Sequence, residues 1–175
     1  GDMMSGSSNI CDVKVNLPYP PVQAESRRVE DAYAMLSNVG SGNSEMTAVS
    51  LYFYNSVILT PNYAFFAKCF HEISIVEMHH LDMFANLAFQ MGLDPRLWSM
   101  EGSKLCYWTP AYNRYPWMIR EVIENAIKGE RAAIAKYSAQ AETIPDRNIG
   151  ALLNRIILDE RRHIEIFHKM LEQLP

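Results

Sequence analysis

Apolar residues recur at helical spacing along most of this chain, and the breaks between them mark out five helical tracts. The first runs from Gln23 to Asn38 and is interrupted by the Gly40, Ser41, Gly42, Asn43, Ser44 stretch. A long helix follows to about Leu59, with Ala48, Val49 and Tyr52 on the same face as Glu45, at the three-, four- and seven-residue offsets. Thr60 is the expected N-cap and Pro61 the expected first position of the next helix, which Gly92 and Pro95 end after roughly 30 residues, ~45 Å of helix. Residues 93–115 place Trp98, Tyr107, Trp108, Tyr112 and Tyr115 among Pro and Gly, and this long connection is expected to carry the chain back along the bundle. A third long helix is predicted from near Pro116 to before Pro145, and a fourth from about Asp146, as N-cap, to the C-terminus. No segment reads as a strand. Residues 1–22 combine Gly, Ser and Asn with Pro18, Pro20 and Pro21, which predicts an extended arm without chemistry of its own. The expected architecture is all-α: one domain over 23–175, an up-down four-helix bundle with one long crossover, preceded by a short N-terminal helix and the arm.

Composition narrows the function classes. The chain has 175 residues, enough for one domain with a substantial core at 49% hydrophobic content. A net charge of −4 gives no basic footprint for nucleic acid, and no long run of like charge suggests an interaction tail. No apolar stretch is long enough for a membrane span, and the N-terminus lacks the order of a secretory signal, so a soluble cytoplasmic protein is expected. Cys11, Cys69 and Cys106 are odd in number, widely spaced and never paired as CxxC, and they are expected to be reduced thiols.

The chemistry lies where charge interrupts the apolar stripes. On the second long helix the stripe reads Phe66, Phe70, Ile73, Glu77, His80, Phe84, Ala88, Met91; on the fourth it reads Leu153, Ile156, Glu160, His163, Phe167, Met170, Leu174. Both contain Glu-x-x-His. Residues three apart share a helix face, so one ion can meet the carboxylate and the imidazole together. The other two long helices supply one carboxylate each: Glu45 heads its stripe, and Glu130 sits among Ile123, Ala126, Ala133, Ile134 and Tyr137. Glu45 to Glu77 is 32 residues and Glu130 to Glu160 is 30, with a histidine three further on each time, so the pattern reads as two similar helical hairpins facing each other. Four carboxylates balance two divalent ions; without ions, each buried carboxylate would carry a desolvation cost of several kcal/mol or take up a proton. Glu165 and His168 repeat the spacing on a face shared with Arg161, Arg162 and Lys169, which marks a solvated pair and serves as an internal control. His71, His79 and Glu124 likewise fall off the stripes. Tyr52 and Tyr137 sit seven residues after Glu45 and Glu130, as core packing or beside the metals.

The segments Ser44-Glu45 through Tyr52, Val76-Glu77-Met78-His79-His80, Gly129-Glu130 through Tyr137 and Asp159-Glu160-Arg161-Arg162-His163 resemble the ferritin-like superfamily, especially rubrerythrin and manganese-catalase relatives, over about residues 40 to 172. The resemblance implies a ferritin-like bundle with Glu45, Glu77, His80, Glu130, Glu160 and His163 holding two iron or manganese ions, zinc also being compatible with such donors. It further implies redox chemistry on peroxide or dioxygen, with Glu45, Glu130, Tyr52 and Tyr137 as the catalytic candidates. Asp159 resembles a carboxylate that relatives use to orient a ligand histidine, here His80. Two departures matter. The cysteine-rich iron domain with two CxxC pairs is missing, so peroxidase activity would need an external electron donor, whereas a catalase cycle would not. Ala133 stands where rubrerythrins often carry an extra glutamate, which weighs against a ligand-switching peroxidase.

Three functions are compatible with this reading. The first is peroxide detoxification by a di-metal oxidoreductase, expected as a homodimer. The second is iron oxidation and storage, which requires a hollow cage. The third is a structural or coat protein stabilised by metal.

Overall fold

The computed structural model describes residues 11–175, which form five helices, a short β-hairpin and a 3₁₀ turn. Helix α1 spans Val29–Gly40, α2 Glu45–Leu59, α3 Ala64–Gln90, α4 Ile119–Thr143 and α5 Arg147–Glu172. The bundle is built from two hairpins, α2 against α3 and α4 against α5, with α1 packed on α3. Local chemistry fixes several ends. The Ser44 side chain caps α2 by accepting from the Thr47 amide, and Asp146 caps α5 by accepting from the Asn148 and Ile149 amides. Helix α3 stops before Gly92, which takes a φ of +100°.

Several expectations need correction. The first helix begins at Val29 rather than Gln23, and residues 23–28 are irregular. Thr60 caps the C-terminus of α2 rather than opening α3: its backbone is helical, its hydroxyl bonds back to the Ser56 carbonyl at 2.7 Å, and α3 starts only at Ala64. Helix α4 begins at Ile119 rather than near Pro116, with Met118 extended before it. The crossover, read as strandless, contains antiparallel strands β1 (Trp98–Glu101) and β2 (Lys104–Tyr107). Gly102 turns the hairpin with a φ of +61°, and Trp98 stacks on its cross-strand partner Tyr107 at 5.6 Å. Finally, Cys11 and Cys69 form a disulfide across 58 residues, with Cα atoms 5.3 Å apart, where free thiols were expected. Parity and spacing carry no information about the arm folding back onto α3. Cys106 remains free. Among the described residues, no helix is long and apolar enough to cross a membrane.

The core has two apolar clusters. One gathers Met35, Leu36, Phe84, Leu87, Leu152 and Ile156; the other gathers Phe70, Ile73, Ile123, Ala126, Phe167 and Met170. Each such fully buried large side chain contributes about 1.5–3 kcal/mol. The Glu-x-x-His pairs lie between them along the helices: Glu77 and His80 fall between Ile73 and Phe84, and Glu160 and His163 between Ile156 and Phe167. A charged layer is thus sealed above and below by hydrocarbon.

Candidate metal centre

All six sequence-predicted donors converge in that layer, each no more than 2% exposed. They form two overlapping quartets, Glu45, Glu77, His80, Glu160 and Glu77, Glu130, Glu160, His163, within each of which the donor atoms lie within 4.8 Å of one another. Glu77 and Glu160 belong to both. The hairpin arrangement explains this, because each Glu-x-x-His helix faces the other and each single-carboxylate helix flanks one end. His80 Nδ1 is 3.3 Å from Glu160 and 3.6 Å from Glu45; His163 Nδ1 is 2.9 Å from Glu77 and 3.4 Å from Glu130.

The outward ring nitrogens fix the tautomers. His163 Nε2 lies 2.7 Å from the Val13 carbonyl, which can only accept, so Nε2 carries the hydrogen. His80 Nε2 lies 2.9 Å from Asp159 Oδ2 and donates to it. Asp159 is fully subscribed: Oδ1 accepts from the Val15 amide at 3.0 Å and Arg155 Nη1 at 2.8 Å, and Oδ2 also accepts from the Tyr19 hydroxyl. Burial raises its pKa, but the hydrogen bonds from His80, Tyr19 and Arg155 outweigh burial and hold the carboxyl well below its usual range. With Nε2 as the donor, each ring turns its Nδ1 inward. Those Nδ1 atoms, both oxygens of Glu77, and one oxygen each of Glu45, Glu130 and Glu160 are buried without a hydrogen-bond partner.

Lone pairs facing carboxylates repel unless a proton or a cation lies between them. The donor set fits two divalent ions, with Glu45 and His80 at one, Glu130 and His163 at the other, and Glu77 and Glu160 available to both. Metal-free, the cluster turns to protons. Burial first, then Glu160, Glu45 and Glu130, raises the Glu77 pKa well above the usual carboxylate range. Burial, Glu130 and Glu45 do the same for Glu160. Burial lowers the His80 pKa, but Glu45, Asp159 and Glu160 overcome it and push it well up. Burial likewise opposes ionisation of Glu45, yet the neighbouring Glu77, the His80 charge and the hydrogen bond from Tyr137 bring its pKa down.

The two flanking tyrosines complete the layer. Tyr52 donates to Glu130 Oε1 at 2.6 Å and Tyr137 donates to Glu45 Oε1 at 2.7 Å, each reaching across to the opposite hairpin. Burial, then the adjacent glutamate, raises both phenol pKa values well above normal, so both remain donors. A cleft of about 250 Å³ reaches Glu45, Glu77, Glu130 and Glu160 from a rim that includes the exposed residues Asn43, Arg114 and Lys128. Neither histidine lines it. His71, His79, Glu124, Glu165 and His168 are exposed and away from the cluster, as their position off the stripes predicts.

Sequence reasoning missed the outer partners. The arm segment 13–19, taken as chemically silent, supplies Val13, Val15 and Tyr19, and α5 supplies Arg155, only 6% exposed, which also bonds the Val15 and Leu17 carbonyls. The one available signal was Arg155 four residues before Asp159 on an otherwise apolar face.

The sequence matches the family model for rubrerythrin over residues 40–171. Among solved structures, the fold is similar to that of KatB, a manganese catalase from Anabaena PCC7120. The TM-score is 0.77, with 20% identity over 90% of this chain and 78% of that one. A structure of wild-type KatB gives the same values. At that identity the likeness concerns the fold. No curated protein matches the sequence.

Proposed function

The chain belongs to the rubrerythrin family of di-metal carboxylate proteins, and on that footing we propose that it disproportionates hydrogen peroxide to water and dioxygen on two manganese or iron ions. Glu45, Glu77, His80, Glu130, Glu160 and His163 are the proposed ligands. The observation that carries this reading is the set of buried donor atoms without hydrogen-bond partners, grouped as two quartets with two members in common. When bound, a redox-capable metal pair supplies the two-electron capacity that oxidises one peroxide and reduces the next.

The residues do the rest. The cleft admits a small polar molecule to the carboxylate side of the centre, while the histidines are backed by protein. Peroxide must lose protons on one half-cycle and gain them on the other. Glu45 and Glu130, the two carboxylates that belong to one quartet only, are the groups proposed to take and return them. Tyr52 and Tyr137 hold one oxygen of each, leaving the second free, and orient it.

The test is anaerobic loading with Mn(II) or Fe(II), elemental analysis, and an oxygen electrode with added peroxide. About two ions per chain and oxygen release without a reductant are expected. Loaded protein that consumes no peroxide, with or without a thiol or reduced-protein donor, would sink the proposal. Consumption only with a donor would convert it to a peroxidase.

A further inference from the structure

The arm touches both Glu-x-x-His helices. From Asp12 to Tyr19 its polar contacts go to α5: Asp12 to Arg162, the Val13 carbonyl to His163, the Val15 amide to Asp159, the Val15 and Leu17 carbonyls to Arg155, and the Tyr19 hydroxyl to Asp159. Arg155 also lies over the Tyr19 ring at 4.2 Å. Cys11, directly before this run, is covalently bound to Cys69 on α3. The strap therefore joins the helices that carry the two histidines and covers the outward nitrogen of each, directly at His163 and through Asp159 at His80. Hydrogen bonds to a backbone segment hold only while that segment stays ordered, and a covalent anchor two residues from Val13 removes most of the freedom that competes with order.

We propose that the Cys11–Cys69 disulfide is a redox-releasable clasp that seats the strap on the outward nitrogens of His80 and His163, so that its reduction loosens both histidines and speeds metal loss. The metal half of this inference rests on the function proposed above; the seating of the strap does not. Cys69 is fully buried and Cys11 half-buried, so an attacking thiolate reaches the bond from the arm side. A dithiol opens it by exchange, leaving two protein thiols and its own disulfide. In the other direction, hydrogen peroxide takes two electrons from the Cys11 and Cys69 thiols: the S–S bond forms, the O–O bond breaks and two waters leave. The substrate of the proposed reaction would thus close the clasp.

The test compares the full-length oxidised protein with Cys11→Ser, and with Cys106→Ser as a control outside the clasp. Alkylation of denatured, unreduced protein should label Cys106 alone. Amide exchange read at Val15 in metal-free protein should quicken about tenfold in Cys11→Ser, and Mn(II) release into excess chelator should be about 10- to 100-fold faster, the range expected when an outer partner of a ligand is lost. Phosphine-reduced wild type should match Cys11→Ser and recover on peroxide treatment, while Cys106→Ser should behave as wild type. Three labelled thiols in the aerobically purified protein would overturn the clasp, as would equal Val15 exchange in wild type and Cys11→Ser. Normal metal binding with unchanged release in Cys11→Ser would overturn its effect on the centre alone. Quickened Val15 exchange in a chain that never takes up metal would leave the clasp standing and remove the proposed function.

Discussion

Replacing Glu77 and Glu160 together by Gln should raise the stability of the metal-free protein and abolish the stabilisation that metal confers. Donor atoms within each quartet are no more than 4.8 Å apart, and two unit charges at that separation repel by about 3.5 kcal/mol at an effective dielectric of 20. The metal-free fold avoids this by keeping protons on Glu77 and Glu160, whose pKa values burial and the neighbouring carboxylates raise. The unfolded chain releases those protons above about pH 4.3, so it binds fewer protons than the folded chain, and stability falls as pH rises from there towards neutrality. The Gln side chains do not titrate. At pH 7 the double variant should gain about 3 kcal/mol in chelator, or roughly 6–12 °C in melting temperature for a chain of this size. The gap should narrow towards pH 5. Mn(II) at about 1,000 times its Kd should add about 4.1 kcal/mol to wild type and nothing to the variant, reversing the order. The assay is calorimetry at pH 5 and 7, with chelator or Mn(II). A double variant that melts below wild type in chelator at pH 7, or a gap independent of pH, would refute the reasoning.

Tyr52→Phe and Tyr137→Phe each remove a buried donor from a carboxylate, so each should cost about 1–3 kcal/mol by urea unfolding and lower kcat while elemental analysis still finds two ions. Unchanged turnover in both would remove the tyrosines from the chemistry. Burial, partly opposed by Glu45, lowers the Lys136 pKa to about 8 although its Nζ bonds Ser37, Ser41 and Asn43. Between pH 8 and about 10.4 the unfolded chain holds a proton the folded one has lost, so wild type should gain stability across that window relative to Lys136→Met. Parallel pH profiles of the urea midpoint would contradict this. At Gly40 an added Cβ would come 2.6 Å from the Trp98 carbonyl oxygen, so Gly40→Ala should cost about 1–3 kcal/mol by separating α1 from β1. A wild-type melting temperature would show that the hairpin yields freely.

The bundle was legible because its helices are long and their stripes sustained. Phe66 to Ala88 on α3 keeps one buried face over about six turns, and no strand period can imitate that. Ends were less legible where two cues compete. Thr60 and Pro61 form a good N-terminal pair, but Thr60 can also bond back to Ser56 and extend α2 by one residue, and it does. The hairpin in the crossover was hidden for a different reason. Its strands are four residues long and mostly exposed, so they show no alternation, and only the Gly102-Ser103 turn marks them.

The convergence of the six side chains could be read from the sequence because helical spacing is a local rule: Glu77 and His80 share a face wherever α3 lies, and so do Glu160 and His163. What sets the ring nitrogens is not local. The Val13 carbonyl meets His163 across 150 residues and the Val15 amide meets Asp159 across 144, and both contacts are backbone atoms that any side chain would carry. Pattern reading has no purchase on a main-chain acceptor in an irregular segment. The physical accounting does, after the fact: a buried imidazole that must keep Nδ1 free needs an acceptor at Nε2, and Val76, which precedes Glu77 as Asp159 precedes Glu160, cannot play for His163 the part that Asp159 plays for His80. That missing acceptor had to come from elsewhere in the chain. The two histidine positions thus differ in kind, one ring backed by a carboxylate shared with Arg155 and Tyr19, the other by a neutral carbonyl on the segment that follows the Cys11–Cys69 disulfide.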